Sequence, residues 1–338
     1  MIFRSATEQD RQRVIALMVP DPASGPTAHT YRIRSLSRQY RPEWTWLAEE
    51  QTAEKADERN DPPLATGIWW GEPGESRPSA LDGIWVRESV PTADRARLAA
   101  ELISHAHRAY AEHAEHTEHA EHAEHAETYE PPRYHIFLPG DWRDRPDAVA
   151  AVEWREEAAR RAGLTQRLER LRYEWTAGTG LPRLKPRLTF RPEPDDEVFV
   201  DVLTQVLAGT LDATSRDQAA RVGPRQQARQ DVTFYRDHMR GDRSWWRIAQ
   251  TPDGRTAGFG IPSRNEDYPV VGYLGVLPEQ RGHGYVDEIL AEITRILATQ
   301  AGAAVIHADT DLDNRPMAAA FERAGYRNFG RRVVLSAH

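Results

Sequence analysis

Residues 276–286 decide the fold, and they read Val276-Leu277-Pro278-Glu279-Gln280-Arg281-Gly282-His283-Gly284-Tyr285-Val286. The apolar run at 270–277 predicts a strand before this loop, and the apolar positions between 289 and 297 predict an amphipathic helix after it. Glycines at 282 and 284 allow tight turning and a close approach of a ligand to the backbone. The amides of residues 282–286 would then converge at a helix N-terminus, where the helix dipole favours an anion. The loop therefore suits a pyrophosphate, with a plain strand-to-helix turn as the alternative.

Two other phosphate-binding loops do not fit this segment. A Walker loop would end in Gly-Lys-Ser/Thr, and that ending is missing here. A dinucleotide fingerprint would need a third glycine at position 287, where Asp287 stands.

The segment from Arg281 to Val286 resembles the Arg/Gln-x-x-Gly-x-Gly/Ala signature of the GNAT superfamily of acyl-CoA N-acyltransferases. A second family motif is an asparagine followed seven residues later by an aromatic residue and then by Gly-aromatic. It resembles Asn314, Phe321 and Gly325-Tyr326. The resemblance covers residues 187 to 338 and extends weakly over the first half, where residues 86–91 take the place of the glycine loop. The whole resembles a tandem GNAT protein of actinobacterial type with a degenerate N-terminal copy.

The resemblance implies a binding site for acetyl-CoA as cosubstrate. The backbone of Val276 would pair with the pantetheine arm, at a splay between its strand and the neighbouring strand that begins near position 304. Asn314 would contact the pantetheine or the acyl end. The pyrophosphate would be held by the backbone amides of Gly282, His283, Gly284, Tyr285 and Val286. Arg281, the first residue of the motif, is also a predicted cofactor-binding residue. The implied reaction is direct attack of a neutral amine on the acetyl thioester, with an oxyanion stabilised by backbone N–H groups.

Departures from the family pattern affect the catalytic groups. Val286 replaces a usually small residue, and Phe321 stands where many members carry a tyrosine that protonates the departing thiolate. Tyr326 and water are then the candidates for the proton donor. Glu266 and Asp267, just before the strand, are the nearest acids that could serve as general base.

Three further titratable residues follow on the next strand and its exit loop, namely His307, Asp309 and Asp311. The alternative for all five of these base candidates is structural: solvated loop acids and a histidine satisfied by its neighbours.

The length of 338 residues favours two domains. Alternating strand and helix patterns predict an α/β fold with two tandem GNAT-like domains, each a central mixed sheet flanked by helices. The predicted domains are residues 1–178, a degenerate copy, and 183–338, the acetyl-CoA-binding copy, separated by a Gly- and Pro-containing linker. A helix-plus-glycine pattern ending at Gly163 recurs at Gly325, which favours an internal duplication.

A tract of Glu-His-Ala triplets at 111–127 interrupts the first domain. Its histidines are His113, His116, His119, His122 and His125. Steps of three residues advance a helix by about 300°, so these rings spiral around the axis. The preferred interpretation is a solvated extension of the preceding helix. The alternative is a zinc or nickel site, for which no fixed ligand set can be named, so no metal is predicted.

Composition limits the other classes of function. The net charge is −8, which disfavours nucleic acid and anionic membranes as partners. The chain has no cysteine, which excludes disulfides and thiolate chemistry. It has no 18-residue apolar run and no signal-like N-terminal segment, so we expect a cytoplasmic protein.

The sequence therefore predicts an N-acetyltransferase that transfers an acetyl group to a primary amine of a small molecule or peptide, as a monomer or homodimer. The alternatives are a CoA-binding pseudoenzyme that acts as a sensor or partner-binding protein, and a metal-binding module centred on the histidine tract.

Overall fold

The computed structural model describes residues 1–23, 25–51, 61–118, 129–183 and 187–337. They form two compact units. Unit 1 comprises Met1–Glu169 together with Arg331–His338, and unit 2 comprises Arg170–Gly330. The domain ranges 1–178 and 183–338 stay a prediction beside this division into units.

Unit 1 contains a mixed sheet with helices on both faces. Its strands are β1 (Ile2–Ser5), β2 (Thr45–Glu49), β3 (Ala65–Trp70), β4 (Ala80–Val86) and β5 (Arg133–Pro139). Its helices are α1 (Arg11–Leu17), α2 (Ala28–Leu36), α3 (Thr92–Glu118) and α4 (Pro146–Arg161). Strands β1 to β4 pair antiparallel in sequence order, and β4 pairs parallel with β5.

Side-chain alternation along the strands of unit 1 builds two apolar clusters. Trp46 and Ala48 pack in the cluster that contains residues of α3 and α4. The intervening Leu47 packs in the other cluster, against α1. Val333 and Leu335, from the last strand of the chain, belong to the first cluster.

Unit 2 has the same arrangement of a mixed sheet between two helical layers. It contains β6 (Gln166–Thr176, from Arg170 on), β7 (Thr189–Pro192), β8 (Arg247–Gln250), β9 (Thr256–Arg264), β10 (Pro269–Val276), β11 (Val305–Asp311) and the first residues of β12 (Arg327–Ser336). Its helices are α5 (Asp196–Val206), α6 (Ala213–Val222), α7 (Pro224–Thr233), α8 (Tyr285–Thr299) and α9 (Arg315–Arg323). The strand order is β6-β11-β10-β9-β8-β7, with only the β10–β11 pair parallel among these described strands.

The two faces of the unit 2 sheet carry different clusters. Phe259 and Tyr273 pack with the cluster of α5 and α7, whereas Ala257 and Leu274 pack with that of α8 and α9. The mixed α/β architecture predicted from the sequence is confirmed in both units.

Several elements were not predicted from the sequence, namely α2, α6, α7, β6 and β12. Strand β8 begins only at Arg247, although the apolar pattern at 244–249 predicts a strand from Ser244. The preceding residues Arg243–Trp245 form a 3-10 turn instead, in which Asp242 accepts from the Ser244 amide.

The histidine tract is only partly described. Helix α3 continues to Glu118, and residues 119–128, with His119, His122 and His125, lie outside the described residues. Within the described ranges, no group of three or more His, Asp or Glu side chains is arranged to hold a metal ion. Among the helices that the structure describes, none has the length and apolar content that a membrane span requires.

Candidate functional site

The two parallel strands of unit 2 separate towards their carboxyl ends. In the described chain, β10 and β11 are in register at one position, Val270 with His307. The other edge of β10 pairs with β9 as far as Val276, with a register shift that makes Gly272 an extra, bulged residue. A Cβ at Gly272 would lie 2.6 Å from the Ile261 carbonyl oxygen, so the bulge requires glycine. Beyond Val270, the facing edges of β10 and β11 therefore open into a gap.

The glycine loop ends at the N-terminus of α8, near the end of β10. Gly282 has φ +83° and Gly284 has φ +73°, both in the left-handed region that favours glycine. Gly284 is the N-cap of α8, and no side chain of the described chain caps this end. The first-turn amides and the positive end of the helix dipole therefore form a site suited to an anion.

A buried carboxylate fixes this loop. Glu288 in the first turn of α8 is 2% exposed, and its Oε1 accepts from Arg187 Nε at 2.7 Å. Its Oε2 accepts from the backbone amide of Arg187 at 3.0 Å. Arg187 Nη1 in turn donates to the His283 carbonyl at 2.8 Å. Arg187 thus neutralises an acid that would repel an anion and holds one loop carbonyl. The sequence did not reveal this contact, because the two residues lie 101 positions apart.

The Arg281 side chain forms hydrogen bonds with backbone carbonyl groups. Its guanidinium donates to four carbonyl oxygens, those of Val206, Ala208, Gly209 and Val276, at 2.8 to 3.2 Å. Three of them lie at the C-terminal end of α5, where carbonyl groups lack helical partners. Arg281 therefore ties the loop to α5 as well as to the end of β10.

Known proteins share this arrangement. Residues 187–327 match the family model described as an acetyltransferase (GNAT) domain. This part of the chain is a GNAT domain. No curated protein matches the sequence. The predicted resemblance of this region to the GNAT superfamily is confirmed, and the match supports an acyltransferase activity.

Solved structures extend the similarity in fold to the whole chain. A GCN5-related N-acetyltransferase from Sphaerobacter thermophilus is similar with a TM-score of 0.58 at 13% identity, over 99% of this chain and 94% of that chain. The glucosamine N-acetyltransferase region of a fungal multi-domain GH3 β-N-acetylglucosaminidase gives a TM-score of 0.52 at 12% identity, over 99% of this chain and 38% of that chain. A tandem GNAT protein from the clavulanic acid biosynthesis pathway gives 0.49 at 15% identity, over 100% and 98%. The Sphaerobacter structure, which is similar over nearly the whole chain, confirms the predicted GNAT-like α/β fold class.

The remaining residues of the predicted cofactor site lie in the glycine loop and at the N-termini of α8 and α9. His283 stacks on Tyr285 with ring centroids 5.4 Å apart. Tyr285 and Val286 pack partly buried against the cluster of α8 and α9. Asn314 is the N-cap of α9, where its side chain accepts from the Met317 amide at 3.3 Å. Their contacts with acetyl-CoA stay predictions.

Tyr326, predicted as a candidate proton donor, lies in the core of the GNAT domain. Its hydroxyl is 2.8 Å from the Thr294 hydroxyl of α8, and burial raises its pKa well above the ordinary value. Phe321 is also buried and stacks on Tyr173 at 5.0 Å. A buried hydroxyl with a raised pKa gives up its proton poorly, so this placement favours a packing role for Tyr326.

Glu266 and Asp267, the predicted base candidates, lie in the loop between β9 and β10. Glu266 forms an ion pair with Arg240. Asp267 is exposed, and its amide donates to the Asn265 side chain at 2.9 Å. Both residues precede the position at which β10 and β11 come into register.

In unit 1 the register of a parallel strand pair also ends early, and a buried arginine bonds one of the two strands. Strand β4 has a bulge at Asp82 and is registered with β5 only at Ala80 and Leu81 among the described residues. Arg155 of α4, which is 1% exposed, donates to the Ile84 carbonyl of β4 at 3.1 Å. The same nitrogen donates to Asp21, in the loop between α1 and α2, at 2.6 Å. An internal ion pair therefore occupies this region of unit 1.

Proposed function

We propose that this chain is an acetyl-CoA-dependent N-acetyltransferase that acts from its GNAT domain on a primary amine of a small molecule or peptide. One observation carries the proposal: the gap between β10 and β11 and the amide cradle of Gly282 and Gly284 belong to the same strand end. The proposed setting is the bacterial cytoplasm, with a monomer or homodimer and without nucleic acid or membrane as partners.

The dimensions suit an extended donor. From Gly272 to Val276, β10 spans about 13 Å at roughly 3.3 Å per residue. The pantetheine arm carries two amides and would add to this edge as a further strand does, by backbone hydrogen bonds. The pyrophosphate would then reach the N-terminus of α8, where Arg187 has neutralised Glu288.

The reaction follows from this placement. The neutral amine attacks the thioester carbonyl carbon, and backbone N–H groups at the β10 edge stabilise the oxyanion. The tetrahedral intermediate then breaks its carbon–sulfur bond, and the thiolate leaves and takes up a proton. Phe321 carries no proton to give, so water is the donor in this proposal.

A second candidate function is a CoA-binding protein without transferase activity. The absence of a hydroxyl at Phe321 and the burial of Tyr326 favour it. Release of free thiol from acetyl-CoA separates the two functions. An enzyme releases thiol at a rate that depends on the amine, whereas a sensor binds acetyl-CoA and releases none with any amine.

The test of the proposed site is Gly284→Asp, which places a carboxylate against the phosphates. We expect acetyl-CoA binding, measured by calorimetry, to weaken at least 100-fold. Gly302→Asp is the matched control, because Gly302 has φ +65° with open space around it and so gives similar backbone strain. Retained affinity in Gly284→Asp contradicts the site assignment.

A further inference from the structure

We propose that His307 is the general base of the acetyl transfer and that Glu174 and Tyr268 position its ring. This inference rests on the proposed function and names a residue that it leaves open.

His307 stands where the gap opens. It is paired in register with Val270, beyond which β10 and β11 separate. Ile306 and Ala308, its neighbours on β11, pack in the cluster of α8 and α9. Because side chains alternate along a strand, His307 projects from the opposite face, the one that carries α5 and α7. An amine that approaches the thioester from this face meets His307 at the closed end of the gap.

The ring of His307 is held by its neighbours. Tyr268 stacks on it with centroids 4.2 Å apart, and Phe329 lies 5.1 Å away. Nε2 is 3.4 Å from Glu174 Oε2 on β6. A carboxylate at that distance favours the tautomer with the proton on Nε2, so Nδ1 carries the lone pair that accepts a proton. Tyr268 itself is 43% exposed, which leaves this side of the sheet accessible.

The surroundings keep the imidazole neutral. Burial lowers the pKa of His307, and the positive charge of Arg172 lowers it further, against the opposing effect of Glu174 and Asp309. The groups that face the ring are Glu174 and Arg172 on β6, Asp309 on β11, Tyr268 before β10, and Phe329 on β12, where Arg327 also pairs with Glu174. Neutral imidazole is the form that accepts a proton.

The step balances without another reactant. As the amine nitrogen forms its bond to the acetyl carbon, its proton passes to Nδ1 of His307. Collapse of the tetrahedral intermediate breaks the carbon–sulfur bond and expels the thiolate. The imidazolium then returns the proton to solvent, and solvent protonates the thiolate. The products are the N-acetylated amine and free CoA.

The experiment compares His307→Gln with the wild-type full-length chain across a panel of primary amines, from pH 5 to 9. We expect kcat/KM to fall 10²- to 10⁴-fold. With rates expressed per concentration of neutral amine, we also expect loss of the acidic limb of the pH profile, which in the wild type has an apparent pKa below the ordinary imidazole value of about 6.5. Glu174→Gln, which removes the charge opposite Nε2, should move that limb to lower pH with a smaller loss of rate.

Controls separate this role from a structural one. His238→Gln, at an exposed histidine of unit 2, should leave the profile unchanged. Acetyl-CoA binding should persist in His307→Gln, and imidazole in the buffer should restore part of the rate of His307→Ala. Wild-type kcat/KM with an unchanged acidic limb in His307→Gln overturns the assignment. If the wild type transfers acetyl to no amine, the proposed function fails as well, which is a distinguishable result.

Discussion

Arg155 and Asp21 form an ion pair of 2.6 Å inside unit 1, next to β4, whose pairing with β5 is parallel like that of β10 with β11. The Asp21 side chain is 35% exposed, whereas Arg155 is almost fully buried. The Arg155 charge is therefore compensated by one carboxylate and by the carbonyls of Ala151 and Ile84. The guanidinium thus bonds the backbone of β4 beyond its registered pairs with β5.

Replacing this arginine should destabilise unit 1. We expect Arg155→Met to lower the free energy of unfolding by about 3 kcal/mol, because it removes the buried guanidinium that bonds Asp21 and the Ile84 carbonyl. Urea denaturation measures this loss. Arg161→Met on the same helix removes an exposed pair with Glu157 and should change stability by less than about 1 kcal/mol. Equal effects of the two variants would show that the buried pair contributes little.

The Arg155–Asp21 ion pair in unit 1 leads us to expect a single bound acetyl-CoA molecule per chain. Native mass spectrometry of the full-length chain with acetyl-CoA should show one molecule per chain, bound by unit 2. In Gly284→Asp that single molecule should be lost. Two molecules per wild-type chain would mean that the Arg155 ion pair does not exclude the donor from unit 1.

The Arg187–Glu288 ion pair should strengthen acetyl-CoA binding indirectly, by holding the glycine loop in place. We expect Glu288→Gln to weaken acetyl-CoA binding about tenfold, since a neutral amide holds the Arg187 guanidinium less firmly and the loop loses its anchor. Calorimetry measures the Kd. Asp287→Asn, at the adjacent position, removes an exposed pair with Arg323 and is the control. A Kd in Glu288→Gln equal to that of the control contradicts the anchoring role.

Tyr326→Phe tests whether that hydroxyl takes part in chemistry. Because the hydroxyl bonds Thr294 in the core, we expect kcat within twofold of the wild type and a stability loss of about 1 kcal/mol. Thr294→Val should cost a similar amount, and the double variant should show that the two losses are coupled. A kcat reduced 100-fold in Tyr326→Phe would restore it as a proton donor.

Asp231 on α7 should make stability depend on pH. Burial raises its pKa from 3.8 to about 6. The folded chain therefore binds more protons than the unfolded chain between those pH values, so stability falls as pH rises through this window. The cost at pH 7 is about 3 kcal/mol. Asp231→Asn should remove this decline in urea denaturation at pH 4 and 7, whereas the exposed Asp217→Asn should retain it.

The elements that could be predicted from the sequence are those with a clear local residue pattern. The strand, loop and helix between 270 and 297 could be predicted because each shows its own periodicity or turn residues within a few positions. Helices α6 and α7 were missed because few of their residues are apolar. Strand β6 did carry a signal, since Leu171, Tyr173 and Trp175 alternate with polar residues.

Contacts between distant segments could not be predicted in this way. Arg155 and Asp21 lie 134 positions apart, and no local pattern distinguishes either from an exposed charge. The position of His307 at the start of the gap depends on the register of two strands that are not consecutive in a hairpin. The sequence correctly predicted that His307 lies on β11, but it could not predict which residues of other strands surround the ring.

The membership of residues 331–338 in unit 1 bears on how the protein is made. Val333 and Leu335 complete the apolar cluster of α3 and α4, yet the ribosome adds them only after all of unit 2 has been synthesised. Domains usually fold in the order of synthesis, the N-terminal one first. The core of the N-terminal unit therefore stays incomplete, with apolar surface exposed on the nascent chain, until residues 333–335 have been synthesised. Coexpression as two fragments cut at 178–183 should therefore yield a first fragment that depends on chaperones.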